Sequence, residues 1–563
     1  KLLFSKIEIA LAGRAAETIV FGEGEITQCS INDISYATNI VREMVTKYGF
    51  SIIGPISMDS DNNEMYLGDG LFRKKPLIAE NTSSRIDNEI INISKISLNN
   101  SIKILKKNRV LLDKLVDILL NQETIDKKVF KNFNLNDLPI SEKEIFKKIK
   151  KIINYSMNSS NPNYLGHMDS LPTTMSIVGD LISSSLNNNM LSKETAPVLT
   201  EIENSVIESF AKKFKLGNQS GGVMLAGGSL SNLQSIGIAR NRFFESFEKG
   251  LTGLKRQPYI FTSEYCHTSI QKAAMILGLG TNSVVLVPTD SNGKMITSAL
   301  RKLIQDKINN NGNPFCIVAT AGTTITGSID PLNEIAKIAE KYKMWMHTDS
   351  VYGGALIFSE KYKHKLNGIE KSDSISFNPQ KWLYITKTCS MLLLKNKKYL
   401  YSDFFIPLPY VTKNKNDFHS GEISVQGTRY PDVLKLWLSF QHLGRITYSK
   451  LINHSYDVTK RFKSEVIKRK YLQLAFDPEM NILCFRALPK EIDYNNYNTW
   501  NIKLRNFLLK KYNIFFSICE YKGCDWLRAI ILNPFISAKH IFRIFKGIDD
   551  FYNIKKQNNK KVL

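Results

Sequence analysis

The sequence predicts an α/β fold, a mainly parallel sheet with helices on both faces, preceded by an all-α segment and followed by a small α+β domain. Three observations predict it. Residues 1–130 show helical periodicity only. From about residue 160, short apolar runs alternate with helical ones, the pattern of parallel strands joined by helix crossovers. After about residue 445 that alternation gives way to a shorter mixed segment. A chain of 563 residues also exceeds one ordinary domain. The expected division is 1–130 all-α, 131–160 linker or docking segment, 161–445 large domain and 446–563 small domain.

In order along the chain, Ile34, Ala37, Val41, Met44, Val45 and Tyr48 recur at helical spacing. Asn32 is the expected N-cap and Gly49 the stop. A polar loop, SMDSDNNEMYLGDG, separates this helix from amphipathic segments over Arg85–Lys107 and Val110–Asn121. The stretch 131–160 is charged and mixed. Then come GVMLAGG and a helix over Ser231–Phe247, PYIFTSE and a helix over Thr268–Leu277, SVVLVPT, PFCIVATAGT and a helix over Leu332–Lys341, MWMHTD, DSISFNP and CSMLLLK. Strands that read as unbroken apolar runs are expected to be buried on both faces.

Composition excludes several classes. Hydrophobic residues make up 43% and charged residues 23%, which suits a core-forming chain rather than a disordered one. No apolar run approaches the ~18 residues of a membrane span. The formal net charge of +24 invites a nucleic-acid reading. Residues 1–133 are nearly neutral, with 18 Lys and Arg against 17 Asp and Glu, so the excess lies in the remainder. There the lysines are scattered among Ile and Asn, with no basic helix and no aromatic stripe, so no nucleic-acid partner is expected. Seven cysteines form no CxxC pair, and an odd number suits a reducing compartment. A soluble protein of the cytoplasm or a plastid stroma is expected. The chain starts Lys-Leu-Leu and reads straight into a helix, as expected of a fragment or a truncated gene.

LAGRAAETIVFGEGEITQCSINDISYATNIVREMVTKYGF (11–50) and RVLLDKLVDILLNQETID (109–126) resemble the peptidase domain of the FtsH-type ATP-dependent zinc metalloproteases. The resemblance implies that Asp33 matches the family's zinc-binding aspartate. The two metal-binding histidines of an HExxH helix have no counterpart, because all eight histidines lie at or beyond residue 167. A catalytic zinc needs about three protein ligands and an open position. Asp33 is therefore read as a first-turn helix residue favoured by the macrodipole. No metal site and no peptidase activity are expected, and the segment is treated as a remnant.

The chemistry is expected in the second part, at strand ends, where open α/β sheets place their sites. Gly227-Gly228-Ser229 joins a strand to a helix, so exposed N–H groups and the helix dipole favour an anion; a plain tight connection reads the same way. His267 starts a helix and reads as a site residue, a cap or a core histidine. Asp349 ends an apolar strand, where an unpartnered carboxylate is costly. Lys381 follows another strand between Pro379, Gln380 and Trp382. A lysine in apolar surroundings loses its proton more readily and becomes a nucleophile. An aldehyde-binding lysine, a carboxylate for a pyridinium nitrogen and a phosphate cradle together fit pyridoxal 5′-phosphate.

Seven blocks in order, among them NPNYLGHMDSLPTTMSIVGDLI, HTDSVYGGA, SFNPQKWL and VQGTRYPDVLKLWLSF, resemble the group II pyridoxal-phosphate-dependent amino-acid decarboxylases. The resemblance implies the pyridoxal-phosphate fold type I. It also implies that Lys381 forms the aldimine, Asp349 partners the ring nitrogen and His267 stacks on the ring. Gly228 and Ser229 would bind phosphate, while Thr323, Val351 and Asn378 line the cofactor. Gln380 stands where the family usually has His; an amide still hydrogen-bonds a phosphate oxygen but brings no titratable charge.

The implied reaction converts an L-amino acid to its amine and CO2, in a homodimer with shared sites. A tyrosine on a mobile loop protonates Cα in that family. The matching loop, 404–422, offers Tyr410, which reads equally as an ordinary loop tyrosine. Arg429 either meets a carboxylate or braces the dimer. Two other classes remain open: transamination or another Cα-bond cleavage on the same fold, and an inactive fusion of two truncated genes.

Overall fold

The computed structural model describes residues 2–22, 31–54, 80–109, 113, 139–411, 419–490, 493 and 496–560. The loop at 57–70, the helix expected over Val110–Asn121 apart from Asp113, and residues 131–138 of the linker lie outside the described residues. Two compact units divide at Lys151 and Ile152.

The first unit is helical: α1 (Leu2–Ala10), α2 (Ala12–Phe21), α3 (Ile31–Thr46) and α4 (Glu80–Lys107). Its core is small and made by the periodic residues Ala37, Val41, Met44 and Val45 of α3 with Ile7, Leu11, Ile86, Ile90 and Ile93. Helix α3 begins at Ile31, so Asn32 lies inside the first turn rather than at the N-cap. Asp33 shares that turn and is exposed, as its charge favours. Within the expected linker, Glu142–Tyr155 forms a helix, α5, with no buried residue.

The second unit opens with α6 (Thr174–Leu186) and α7 (Pro197–Lys213). Its large sheet has the strand order β1-β7-β6-β5-β4-β2-β3. The strands are β1 (Gly221–Leu225), β2 (Pro258–Ser263), β3 (Val284–Val287), β4 (Asn313–Thr320), β5 (Trp345–Asp349), β6 (Ser374–Phe377) and β7 (Ser390–Leu394). β3, β2, β4, β5 and β6 pair in parallel, and β7 runs antiparallel to both β6 and β1. β1 therefore points the same way as the five, and six strands end on one edge. Every residue of β5, β6 and β7 is buried, because helices cover both faces. One face packs around Phe210, Phe377 and Tyr352, the other around Ile236, Ile260 and Phe315. The mainly parallel sheet with helices on both faces is the expected fold type.

Three connections carry helices that frame the site: α8 (Gly228–Phe244) after β1, α9 (Ser269–Ile276) after β2 and α11 (Leu332–Lys341) after β4, with α10 (Thr297–Asn309) after β3. A long helix, α12 (Asp432–Ile467), breaks at Gly444 (φ 66°), a left-handed backbone that favours glycine. Beyond it an antiparallel sheet of order β10-β11-β9-β8 forms from β8 (Leu472–Leu474), β9 (Ile482–Ala487), β10 (Ser517–Tyr521) and β11 (Cys524–Ile530). Its core of Phe462, Phe485, Phe516, Leu527 and Phe545 includes the helices α13 (Tyr497–Tyr512) and α14 (Ala538–Lys560). Among the described residues, no helix is long and apolar enough to cross a membrane.

Candidate active site

The loops leaving β1, β2, β4, β5 and β6 emerge at the same edge and bring the expected residues together. Asp349, the last residue of β5, is 2% exposed. Its Oδ2 accepts a hydrogen bond from Asn232 Nδ2 (2.9 Å), and its Oδ1 accepts from Val351 N–H (3.3 Å). Asn232 lies one turn into α8 and also donates to Ser269 Oγ (2.9 Å), which bonds His267 Nδ1 at 2.9 Å. Burial lowers the His267 pKa, and the Ser269 backbone N–H donates to Nδ1 (3.2 Å), so the ring is neutral with its proton on Nε2.

Around the start of α8 the backbone is tightly enclosed. Gly227 has φ 110°, which only glycine adopts readily. A Cβ on Gly228 would stand 2.6 Å from Val351 Cγ1 and 3.2 Å from the Asn378 amide, so a side chain there would fill the cradle. In the amide orientation that satisfies its neighbours, Asn378 donates to Ser390 Oγ (2.6 Å) and accepts from Gly228 N–H (3.3 Å). Ser229 is exposed on the first turn. Buried Thr323 contacts Thr326 Oγ1 (2.6 Å) and accepts from Ser328 N–H (3.1 Å), bracing its own loop. The Gln380 side-chain oxygen accepts from Cys389 N–H (2.5 Å).

Lys381 sits on a loop pinned from below. Trp382 and Tyr352 are fully buried and stack at 5.1 Å and 16° between planes. Burying an aromatic of this size contributes about 2–3 kcal/mol. The Tyr384 hydroxyl donates to the Leu532 carbonyl (2.9 Å), tying the loop to the residues after β11. Lys381 Nζ lies 3.8 Å from Met168 Sδ. Burial pushes its pKa below that of an ordinary lysine, opposed by the charges of Asp349 and Asp169. An amine so placed gives up its proton more easily and is the better nucleophile.

Arg528 on β11 escaped the sequence reading. It is 7% exposed. It donates to Ser517 Oγ (3.0 Å) and to the carbonyls of Thr324 (2.7 Å) and Gly166 (3.2 Å), with His167 Nδ1 3.3 Å away. Among the described residues no carboxylate forms an ion pair with it. The arginine is aimed at the 166–168 segment, whose Met168 touches Lys381. Nothing local to CDWLRAI marks it, since a strand of the second sheet brings the charge in from far along the chain.

Two expected residues lie elsewhere. Tyr410 is 69% exposed, and residues 412–418 of its loop lie outside the described residues. Arg429 does meet a carboxylate, the protein's own. Its Nη1 and Nη2 bond Glu203 at 3.1 and 2.9 Å in a buried bidentate pair. Replacing it with Ala strands the Glu203 charge and is expected to cost about 3–5 kcal/mol in a denaturant titration.

The model for the pyridoxal-dependent decarboxylase conserved domain matches residues 126–488. The chain belongs to that family. The acidic amino acid decarboxylase GADL1 of Xenopus tropicalis is 31% identical over 451 residues, 76% of this chain and 86% of that protein. The mouse GADL1 is 29% identical over 435 residues, 74% and 78% of the two chains. The crystal structure of mouse CSAD superposes with a TM-score of 0.71 at 26% identity, covering 79% of this chain and 98% of that one. Residues 1–133 match peptidase family M41. Among the described residues, no group of three or more His, Cys, Asp or Glu could hold a metal. The family cofactor is pyridoxal 5′-phosphate, and the residues fit it. A glycine cradle at a helix start suits a phosphate, a buried carboxylate suits a ring nitrogen, and a lysine of lowered pKa suits the aldehyde.

Proposed function

We propose that this decarboxylase-family enzyme converts an acidic L-amino acid to its amine and CO2, with Lys381 as the residue that attaches the cofactor. One observation carries the reading: Lys381 and the guanidinium of Arg528, which forms no ion pair among the described residues, flank the same three-residue segment, one at Met168 and the other at His167. Bound pyridoxal phosphate supplies an electron sink for the charge that decarboxylation leaves on Cα. In this reading Asp349 keeps a proton on the ring nitrogen, and His267 covers one ring face. Gly228 and Ser229 bind the phosphate, with Thr323, Val351 and Asn378 lining the cofactor. Gln380 acts indirectly, by holding the Cys389 N–H and so the loop of Lys381. Arg528 orients a substrate carboxylate by paired hydrogen bonds, and Tyr410 returns a proton to Cα.

The acidic substrate class is supported by that guanidinium and by the relatives named as acidic amino acid decarboxylases. Measuring CO2 release from aspartate and glutamate against tryptophan, tyrosine and 2,4-diaminobutyrate tests it. Release from the acidic substrates alone is expected; release only from an aromatic or diamino substrate overturns the assignment. A keto acid without CO2 overturns decarboxylation itself.

We also propose a homodimer. Helix α6 buries Ser176, Gly179 and Ser183 yet exposes Ile177 (51%), Leu181 (68%) and Leu186 (54%). Such reversed amphipathicity supports a covered outer face. Leu181→Glu is expected to shift sedimentation to the monomer at micromolar concentration; an unchanged dimer would place the interface elsewhere. The division at residues 130, 160 and 445 belongs to the same proposal, and the Gly444 break supports its last boundary.

A further inference from the structure

We propose that His347 and Asn232 are positioning residues that hold the Asp349 carboxylate in one orientation, and that through Ser269 the same chain fixes the tautomer of His267. The inference rests on the reading of Asp349 as partner of the ring nitrogen.

The argument is one of direction. A carboxylate only accepts, so the amide atom of Asn232 facing Asp349 Oδ2 is the nitrogen. Its oxygen then faces His347 Nε2 at 2.9 Å and requires a hydrogen there. His347 Nδ1 is left to accept, with Ser374 Oγ at 2.9 Å and Ser235 Oγ at 3.0 Å. Trp345 Nε1–H, a donor only, donates to Ser374 Oγ (2.8 Å), which frees the Ser374 hydroxyl hydrogen for Nδ1. Polarity therefore runs one way, from His347 through Asn232 to Asp349.

Burial makes the arrangement consequential. His347 is 0% exposed and Asn232 1%. Out of water, the His347 pKa is pushed down to about 4, so the ring stays neutral with a single N–H, as the chain needs. His347 and Asp349 are two apart on β5 and share a face. Asn232 comes from α8, whose first turn carries Gly228 and Ser229. At the far end Ser269 Oγ accepts from Asn232 and turns its own hydrogen to His267 Nδ1. A fully satisfied buried network of this kind strengthens each bond and penalises any broken link.

The test uses the full chain, loaded and cofactor-free. His347→Leu removes the donor to Asn232, while His347→Gln keeps an amide N–H in its place. The dissociation constant for pyridoxal phosphate, read from visible absorbance, is expected to rise about ten- to a hundredfold in His347→Leu, as for a lost hydrogen bond to a charge. The kcat is expected to fall with KM unchanged, and His347→Gln to recover most of both. Parent-like cofactor affinity in His347→Leu, or equal losses in the two variants, overturns the proposal. Should His347→Leu not fold, Asn232→Ala removes the donor to Asp349 from α8 and leaves β5 intact; the same expectation and the same overturning result apply. Asp349→Asn is the reference. If it binds cofactor like the parent, the reading of Asp349 fails; if it loses affinity while His347→Leu and Asn232→Ala do not, only the relay fails.

Discussion

Lys381→Ala is expected to abolish covalent retention of the cofactor and lower CO2 release on the order of 10⁴-fold or more, the scale on which an enzyme loses rate with its nucleophile. The amine at position 381 is poised by burial, which lowers its pKa against the opposing pull of Asp349 and Asp169. Borohydride treatment of the loaded parent is therefore expected to fix pyridoxal to the peptide containing residue 381, and to leave the variant unlabelled. Folding is expected to survive. Trp382 and Tyr352 remain stacked beneath the loop, and removing a half-buried amine relieves a desolvation cost rather than breaking an ion pair. The cofactor-free variant should accordingly melt no lower than the cofactor-free parent. Label persisting in the variant would move the attachment to another lysine and remove the basis of the site.

The large sheet was legible because its strands are buried on both faces. MWMHTD opens on three apolar residues, and β5 covers Trp345–Asp349, buried throughout, with the carboxylate at its end. Gly227–Ser229 was legible for another local reason, since a strand, two glycines and a helix imply a tight turn with open N–H groups. Helix boundaries were less so: α8 starts at Gly228 rather than Ser231, and α3 takes in Asn32, because polar residues near a first turn serve either inside it or as its cap. What stayed hidden was long-range pairing. Asn232 meets Asp349 across 117 positions, and Arg429 meets Glu203 across 226. Single-sequence periodicity carries no information about such partners. Arg528 was hidden twice over, by distance and by sitting on a strand of the small sheet. The helix Glu142–Tyr155 was half visible as a charged, mixed segment, but its apolar face, with Phe146 and Ile153 each 67% exposed, has no buried residue to announce a core.

Tyr410→Phe separates the loss of CO2 from the fate of the charge it leaves behind. The substitution keeps the ring and removes only the hydroxyl, the acid assigned here to Cα. Tyr410 is 69% exposed, so its removal leaves the buried cluster of Asp349, Asn232 and His267 untouched. Cofactor absorbance and thermal stability are therefore expected to stay at parental values. Amine formation is expected to fall by about 10²–10⁴-fold, the usual contribution of a positioned general acid. CO2 release should fall less than amine formation, because bond cleavage precedes the proton's arrival. The charge at Cα then persists long enough to meet dissolved oxygen and yield a carbonyl product, so the ratio of carbonyl to amine should rise with oxygen tension. Amine at the parental rate would make Tyr410 an ordinary loop residue. The proton would then have to come from a group already in the site, and His267, whose Nε2 carries its hydrogen, is the nearest in kind. A neutral imidazole is a far weaker acid than imidazolium, so that route would lose rate steeply as pH rises above the lowered His267 pKa.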